Sequence, residues 1–339
     1  VAAQFSGAGK VLNVTFGISQ MQGMILGAVI IVFYTLMGGF LAVAWTDLIQ
    51  GIIMIGTLVI LPLVGWIELS GTGSNLNMDW STLYGSKTGA AAMAAAVGGL
   101  SWGLGYMGQP HLITRYMAID KAENIAVSRR IAYAWAVPAF FGAMFIGLIG
   151  ANLIENGLLS FNGSPITTIS QLPDPEKLMP IMAKSLLPAW LAGIFISGAI
   201  AAMMSTADSQ LLVSTTVLTE DITRKYFKQN TTESELLKIG RLLTIIIGVI
   251  AFYMAWQSKN LVFEMVSYAW GGLGSAFGPA LVLSLWWKSV RKEGVLAGLI
   301  CGTLFTIIPV FAEVVTPRLS AFIIGGLAVI VVSKMKQSN

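Results

Sequence analysis

The sequence predicts an all-α, polytopic membrane protein, and three observations carry that prediction. Hydrophobic residues make up 55% of the 339-residue chain and charged residues only 11%. The mean hydropathy is +0.77, which is more apolar surface than a soluble chain buries. Apolar runs of about 20 residues, the length that crosses a hydrocarbon core of roughly 30 Å, recur along the whole chain and not at one end. The cations fall unevenly between those runs. Of the 20 lysines and arginines, only Lys10, Lys87, Lys177, Lys184, Lys259 and Arg318 lie in one alternating set of loops. The set that holds the rest is therefore cytoplasmic.

In chain order, Val1 opens an apolar stub, VAAQFSGAGK, too short to span and read as the remainder of a truncated N-terminus. Spans are expected at 21–44, 47–70, 90–110, 131–154, 189–218, 239–256, 262–287, 295–312 and 319–333. The polar loops at 71–89 and 155–188 then lie outside and the C-terminus inside. Trp45, Trp66, Trp190, Trp256, Trp286 and Trp287 fall near the expected interfaces as an aromatic belt. The tail SKMKQSN leaves no room for an appended catalytic module, so 1–339 is read as a single transmembrane domain.

Composition also excludes. The lone Cys301 and the lone His111 rule out disulfide frameworks and Cys/His metal sites. The net charge of +4 sits on loop residues and speaks to topology, with the lipid bilayer as partner and no nucleic acid.

Within the span at 90–110, Gly98, Gly99, Gly103, Gly105 and Gly108 crowd together and Pro110 closes the run. Glycine costs about 1 kcal/mol and proline about 3 kcal/mol against alanine inside a helix. A uniform helix is not expected there. Either the segment unwinds to line a cavity, or Gly99-x-x-x-Gly103 serves close helix packing. Trp102, Tyr106 and Gln109 add polar handles to the stretch. The Gly103-x-Gly105-x-x-Gly108 pattern matches a dinucleotide fingerprint but lies inside an apolar span, without the strand and helix that give the motif meaning.

In the span at 189–218, Ala202, Ser205, Thr206 and Ser209 recur at three- and four-residue spacing and share a helical face. Two adjacent hydroxyls with a backbone carbonyl one turn earlier make an oxygen-rich patch suited to a hard cation such as sodium (Na+). Hydroxyls alone more often bond back to their own helix. Asp208 tips the reading toward function, because a carboxylate in a span costs about 2.5 to 3.5 kcal/mol on insertion scales and faces a cavity, a partner or an ion path. Asp47, after Thr46 at the start of its expected span, reads equally as a helix cap or an ion ligand. Glu264 is interfacial, and the SYAWGGLGSAFGP run at 267–279 reads as close packing.

The segments GGFLAVAWTDLIQ, GLSWGLGYMGQPHLITRYMA, AAMMSTADSQLLVSTTVLTEDI and VSYAWGGLGSAFGP together resemble the sodium/solute symporter family, and within it the bacterial sodium/proline branch. The resemblance implies the leucine-transporter fold of two inverted five-helix repeats, with substrate and sodium halfway across the membrane. Under it the stub is the third core helix, 1–70 is the remainder of the first repeat, 90–287 is the second, and 295–333 are additional C-terminal helices. The first two core helices are lacking. It further implies a first sodium site at Ala202, Ser205 and Thr206, shared with a helix before Val1, and a second cation site at Asp47, Ser205, Asp208 and Ser209. Aspartate stands at 208 where the family pattern often has serine, which either strengthens cation binding or favours a proton. Trp102, Tyr106 and Pro110 match substrate positions.

The expected function is sodium-coupled uptake of proline across a bacterial inner membrane. Symport of another amino acid, pantothenate or a sugar keeps the same mechanism. A transporter-like membrane sensor is the alternative of a different class, although no kinase module follows Asn339. A membrane enzyme finds no HExxH or GxSxG motif to support it.

Overall fold

The structure, a computed structural model, describes residues 1–74, 76, 88–172, 174–227, 231–308 and 317–335. Its contacts fall into two units, Val1–Met78 with Asp120–Val262 and Asp79–Ile119 with Phe263–Asn339.

The first unit opens with α1 (Ala2–Phe16), ended by Gly17 at φ 68°, whose N–H donates to Asn13 O. Glycine takes that left-handed conformation without a Cβ clash. A capping box of Ser19 and Gln22 starts α2 (Gln20–Met37). The two helices touch backbone to backbone: a methyl group on Gly9 would stand 2.7 Å from Gln20 O, and one on Gly23 would stand 2.9 Å from Gly9 O.

The boundary expected between 44 and 47 lies elsewhere. α2 stops at Met37, the chain turns through Gly38 and Gly39, and α3 (Phe40–Gly71) runs unbroken for 32 residues. The glycine pair stops the helix because each glycine disfavours it by about 1 kcal/mol. Thr46 sits well inside α3, where its hydroxyl bonds back to Ala42 O and Val43 O at 3.0 Å. α7 (Asn124–Glu155) is likewise longer than expected. It packs on α3 where Gly142 meets the Leu58 carbonyl.

Residues 155–188 are more than the polar loop expected. They form an antiparallel hairpin, β1 (Leu159–Phe161) with β2 (Ser164–Ile166), followed by a short helix, α8 (Leu178–Leu186). Leu159, Ile166, Ile181 and Met182 are buried in one core with Leu61, Leu69, Ile149 and Leu153. An ion network fastens this cap to α1. Lys10, its side chain only 7% exposed, pairs with Asp174 at 2.7 Å and Glu176 at 2.5 Å. Lys177 donates to Asn13 Oδ1 at 2.7 Å. Burial pushes Lys177 below the usual lysine range against the pull of Asp174, and Lys10 adds to the shift.

α9 (Ala189–Thr216) continues as a π-helical stretch, Val217–Phe227, and α10 (Glu233–Gln257) starts at a Thr232/Glu235 capping box. Thr215 and Thr244 join the two helices by a hydroxyl–hydroxyl bond of 3.0 Å.

The second unit holds a broken helix and three regular ones. α4 (Gly89–Leu100), α5 (Trp102–Tyr106) and α6 (Pro110–Met117) replace the single span expected at 90–110. The axis bends by 45° between Gly89–Tyr106 and Pro110–Met117. α11 (Val262–Trp286), α12 (Lys292–Ile307) and α13 (Pro317–Met335) follow. Gly298 lets α12 and α13 close on each other, since a methyl group there would run into Val329. Residues 309–312 of the span expected at 295–312, and most of the loop at 71–89, lie outside the described residues.

By length and composition, six helices among the described residues can cross a membrane, and the bent pair makes a seventh if counted as one span. Their outward faces carry large apolar side chains such as Phe33, Leu41, Ile67, Phe140 and Val249, all more than half exposed. That surface suits lipid and not water.

Candidate functional site

In the first unit, the oxygen-rich face of α9 forms as the three- and four-residue spacing predicts. Ala202 O accepts from Ser205 Oγ at 3.3 Å and from Thr206 Oγ1 at 2.9 Å, so the three oxygens of the expected first sodium site stand together. Both hydroxyl protons point back into the helix. Their lone pairs, and that of the carbonyl, are what a cation would use. One turn on, Asp208 is fully buried at 0% exposure. Its Oδ1 accepts from Ser209 N at 2.6 Å and Ser209 Oγ at 3.4 Å.

Across from this face runs α3. Thr57 donates to Phe195 O at 3.2 Å, and a methyl group on Gly198 would meet Thr57 and Ile53. Nearer the outer cap, Gly65 meets Met182, so α3 and the chain from α8 into α9 run in opposite directions. Ten residues back from Thr57 is Asp47, and ten residues on from Gly198 is Asp208. At 1.5 Å per residue on both helices, the two carboxylates stand at the same level. Asp47 also belongs to the stripe of α3 that is turned inward with Val43, Thr57 and Leu61. The cap reading of Asp47 fails, because the helix begins seven residues earlier, at Phe40.

In the second unit the break is built by Gln109 and Pro110. Pro110 does not close a helix; it is the first residue of α6, where its missing N–H leaves no bond unmade. Gln109, 1% exposed, donates from Nε2 to Gly105 O at 3.1 Å and to Trp270 O at 3.3 Å, holding the turn of α5 against α11. Glycines make the approach possible, and the packing expected of the 267–279 run is found: a methyl group on Gly274 would lie 2.5 Å from Gly105 Cα. Trp102 stacks on Phe263 at 5.6 Å and on Trp270 at 5.8 Å between centroids. Tyr106 meets the Trp270 ring edge-on at 4.9 Å and remains 46% exposed.

Three residues escaped the sequence reading. Trp270 links Trp102, Tyr106 and Gln109, and its position in a glycine-rich run was the available signal. Arg318, counted among outer-loop cations, lies in the first turn of α13 with its guanidinium 5.2 Å from the Trp102 ring centre. It donates to Ser267 Oγ at 2.6 Å. Gln50, three residues after Asp47 in WTDLIQG, is an amide inside an apolar helix, and its Oε1 is buried without a hydrogen bond among the described residues.

One unit thus holds a broken helix, and the other an oxygen-lined helix face that carries a buried carboxylate. The chain belongs to the sodium:solute symporter family, which matches residues 1–302. It is 35% identical over 311 residues to the high-affinity proline transporter PutP of Bacillus subtilis, covering 91% of this chain and 63% of that protein. It is 34% identical over 301 residues to the sodium/proline symporter of Escherichia coli, covering 88% and 59%. The chain thus spans about three fifths of these relatives. Among solved structures, the substrate-bound outward-open state of a Na+-coupled sialic acid symporter superposes with a TM-score of 0.69 at 16% identity, over 98% of this chain and 71% of that one. The fold is therefore the all-α, multi-pass membrane bundle of leucine-transporter type.

Proposed function

We propose that the complete protein couples inward movement of sodium to uptake of proline by alternating access in a bacterial inner membrane, with its C-terminus cytoplasmic. The observation that carries this reading is Asp208, a fully buried carboxylate at the level of Asp47 on the facing helix. Two carboxylates at one depth in a low-dielectric interior repel, and a cation between them removes the repulsion and joins α3 to α9. In this reading Ala202 O, Ser205 Oγ and Thr206 Oγ1 give oxygens to a first sodium. Asp47, Ser205, Asp208 and Ser209 hold a second cation. The relatives named for proline support the choice of solute.

The solute contacts are assigned to the break. Tyr106 offers an exposed ring to a small apolar solute, and Trp102 frames it through the stack with Phe263 and Trp270. Gln109 and Pro110 fix the turn that carries these rings. Chemistry on the solute is not needed; the work is done by binding order, since a solute site formed with sodium bound is emptied when sodium leaves.

The test is uptake of radiolabelled proline by the complete protein in liposomes under an inward sodium gradient. Concentrative, saturable uptake that stops when choline replaces sodium is expected. Equal uptake in the two salts would refute sodium coupling. Uptake of pantothenate or a sugar in place of proline would move the solute but keep the mechanism.

A further inference from the structure

We infer that Gln50 is a further ligand of the second cation, giving its side-chain carbonyl oxygen to the ion held by Asp47, Ser205, Asp208 and Ser209. The inference rests on the second-site reading above and extends it to a residue outside the expected set. Gln50 lies seven residues before Thr57 on α3, and Ser205 lies seven residues after Gly198 on α9. Seven residues are two turns, so each step returns to the same face and rises by the same length. The contact of Thr57 with Gly198 therefore carries over to Gln50 and Ser205 as directly as it does to Asp47 and Asp208.

Donor supply at that level separates a cation ligand from an ordinary core amide. Gln50 Oε1 is buried and accepts no hydrogen bond among the described residues. The hydroxyls facing it are committed, because Ser205 and Thr206 both donate to Ala202 O and Ser209 donates to Asp208 Oδ1. What the two helices present to each other thus includes two carboxylates, an amide carbonyl and a main-chain carbonyl. A buried acceptor without a donor is costly in an apolar interior. A hard monovalent cation held at this level satisfies the Gln50 oxygen, and neutral carbonyl oxygens are ordinary ligands for such ions.

The inference is tested in the complete protein in liposomes with Gln50→Leu, which keeps the bulk and removes the oxygen, and Gln50→Glu, which keeps an oxygen and removes the amide protons. Sodium binding without proline is read from displacement of radioactive sodium, and sodium and proline dependence are read from uptake. For Gln50→Leu, sodium affinity should fall about 10- to 100-fold, the range for weakening an ion site through one of its supporting groups. The proline concentration for half-maximal uptake at saturating sodium should stay put. Gln50→Glu should bind sodium at least as well as the wild type. Unchanged sodium affinity in Gln50→Leu overturns the inference, and so does equal loss in both variants, which would assign Gln50 a donor or packing role. Asp208→Asn, run alongside, separates this from failure of the parent reading. If Asp208→Asn leaves sodium affinity and order unchanged, the second site itself is absent and the inference falls with it.

Discussion

α9 and the α4–α6 stretch reach the same end by opposite means. α9 keeps its regular hydrogen bonds through Ala202, Ser205, Thr206 and Asp208, and presents chemistry through side chains on an intact helical face. The α4–α6 stretch gives up regularity at 107–109, where the N–H groups of Gly108 and Gln109 bond back to Gly105 O and Tyr106 O, and it presents aromatic rings, with Gln109 and Pro110 stabilising the break. A cation needs several oxygens at fixed spacing, which a rigid helix supplies. A solute that must enter and leave is better served by a segment that bends. The two regions should therefore respond differently to substitution.

The largest effect is expected in the broken region. In Gly274→Ala the new methyl group meets the Gly105 backbone, which has no side chain to move aside, so a cost of about 3 kcal/mol and loss of folded protein are expected. Normal thermal stability in detergent would show that the break yields more easily than the regular helix. Next comes Asp208→Asn, expected to weaken sodium affinity by about 10-fold or more while leaving the fold intact. If the second ion is sodium, the sodium dependence of uptake should change from sigmoidal to hyperbolic. If it is a proton, the wild type should already be hyperbolic and the variant should lose a pH effect. A variant that matches the wild type in sodium order, affinity and pH response would reduce Asp208 to a structural residue.

Trp102→Ala is expected to act on the solute alone, weakening proline affinity several-fold with sodium affinity unchanged. A fall in both would mean that the aromatic stack supports the helix break itself. The smallest effect belongs to Gly193 on the regular helix, where a methyl group meets nothing within 4 Å. Gly193→Ala should stabilise the protein by about 0.5 to 1 kcal/mol and leave transport alone.

This contrast also explains what the sequence disclosed. Most spans were legible because a membrane crossing demands length and hydropathy, although among the described residues the helices found where spans were expected at 262–287 and 295–312 do not meet both demands. The face of α9 was legible because three- and four-residue spacing is a local rule. The break was expected in the right segment, yet Pro110 was read as an end and not a beginning, since its role depends on the turn that precedes it. Asp47 looked like a helix start because Thr-Asp is a capping pair, whereas the real start was set by the weaker signal of two glycines at 38 and 39. The cap at 155–188 was missed because its strands have three residues each, too short for an alternating pattern to emerge. Arg318 meets the Trp102 ring across most of the chain's length, and no local rule reports such a contact.

The ion network at Lys10 has a mechanical side. Glu176, besides pairing with Lys10, accepts a hydrogen bond of 2.9 Å from the backbone N–H of Val262, the first residue of α11. One carboxylate thus pins three stretches of the first unit at a single point: α1 through Lys10, the outer cap through its own backbone, and the chain at Val262. Glu176→Gln loosens these tethers together, so it should lower thermal stability in detergent more than it alters the affinity of either site, and an unchanged melting temperature would show that the apolar core alone holds the cap.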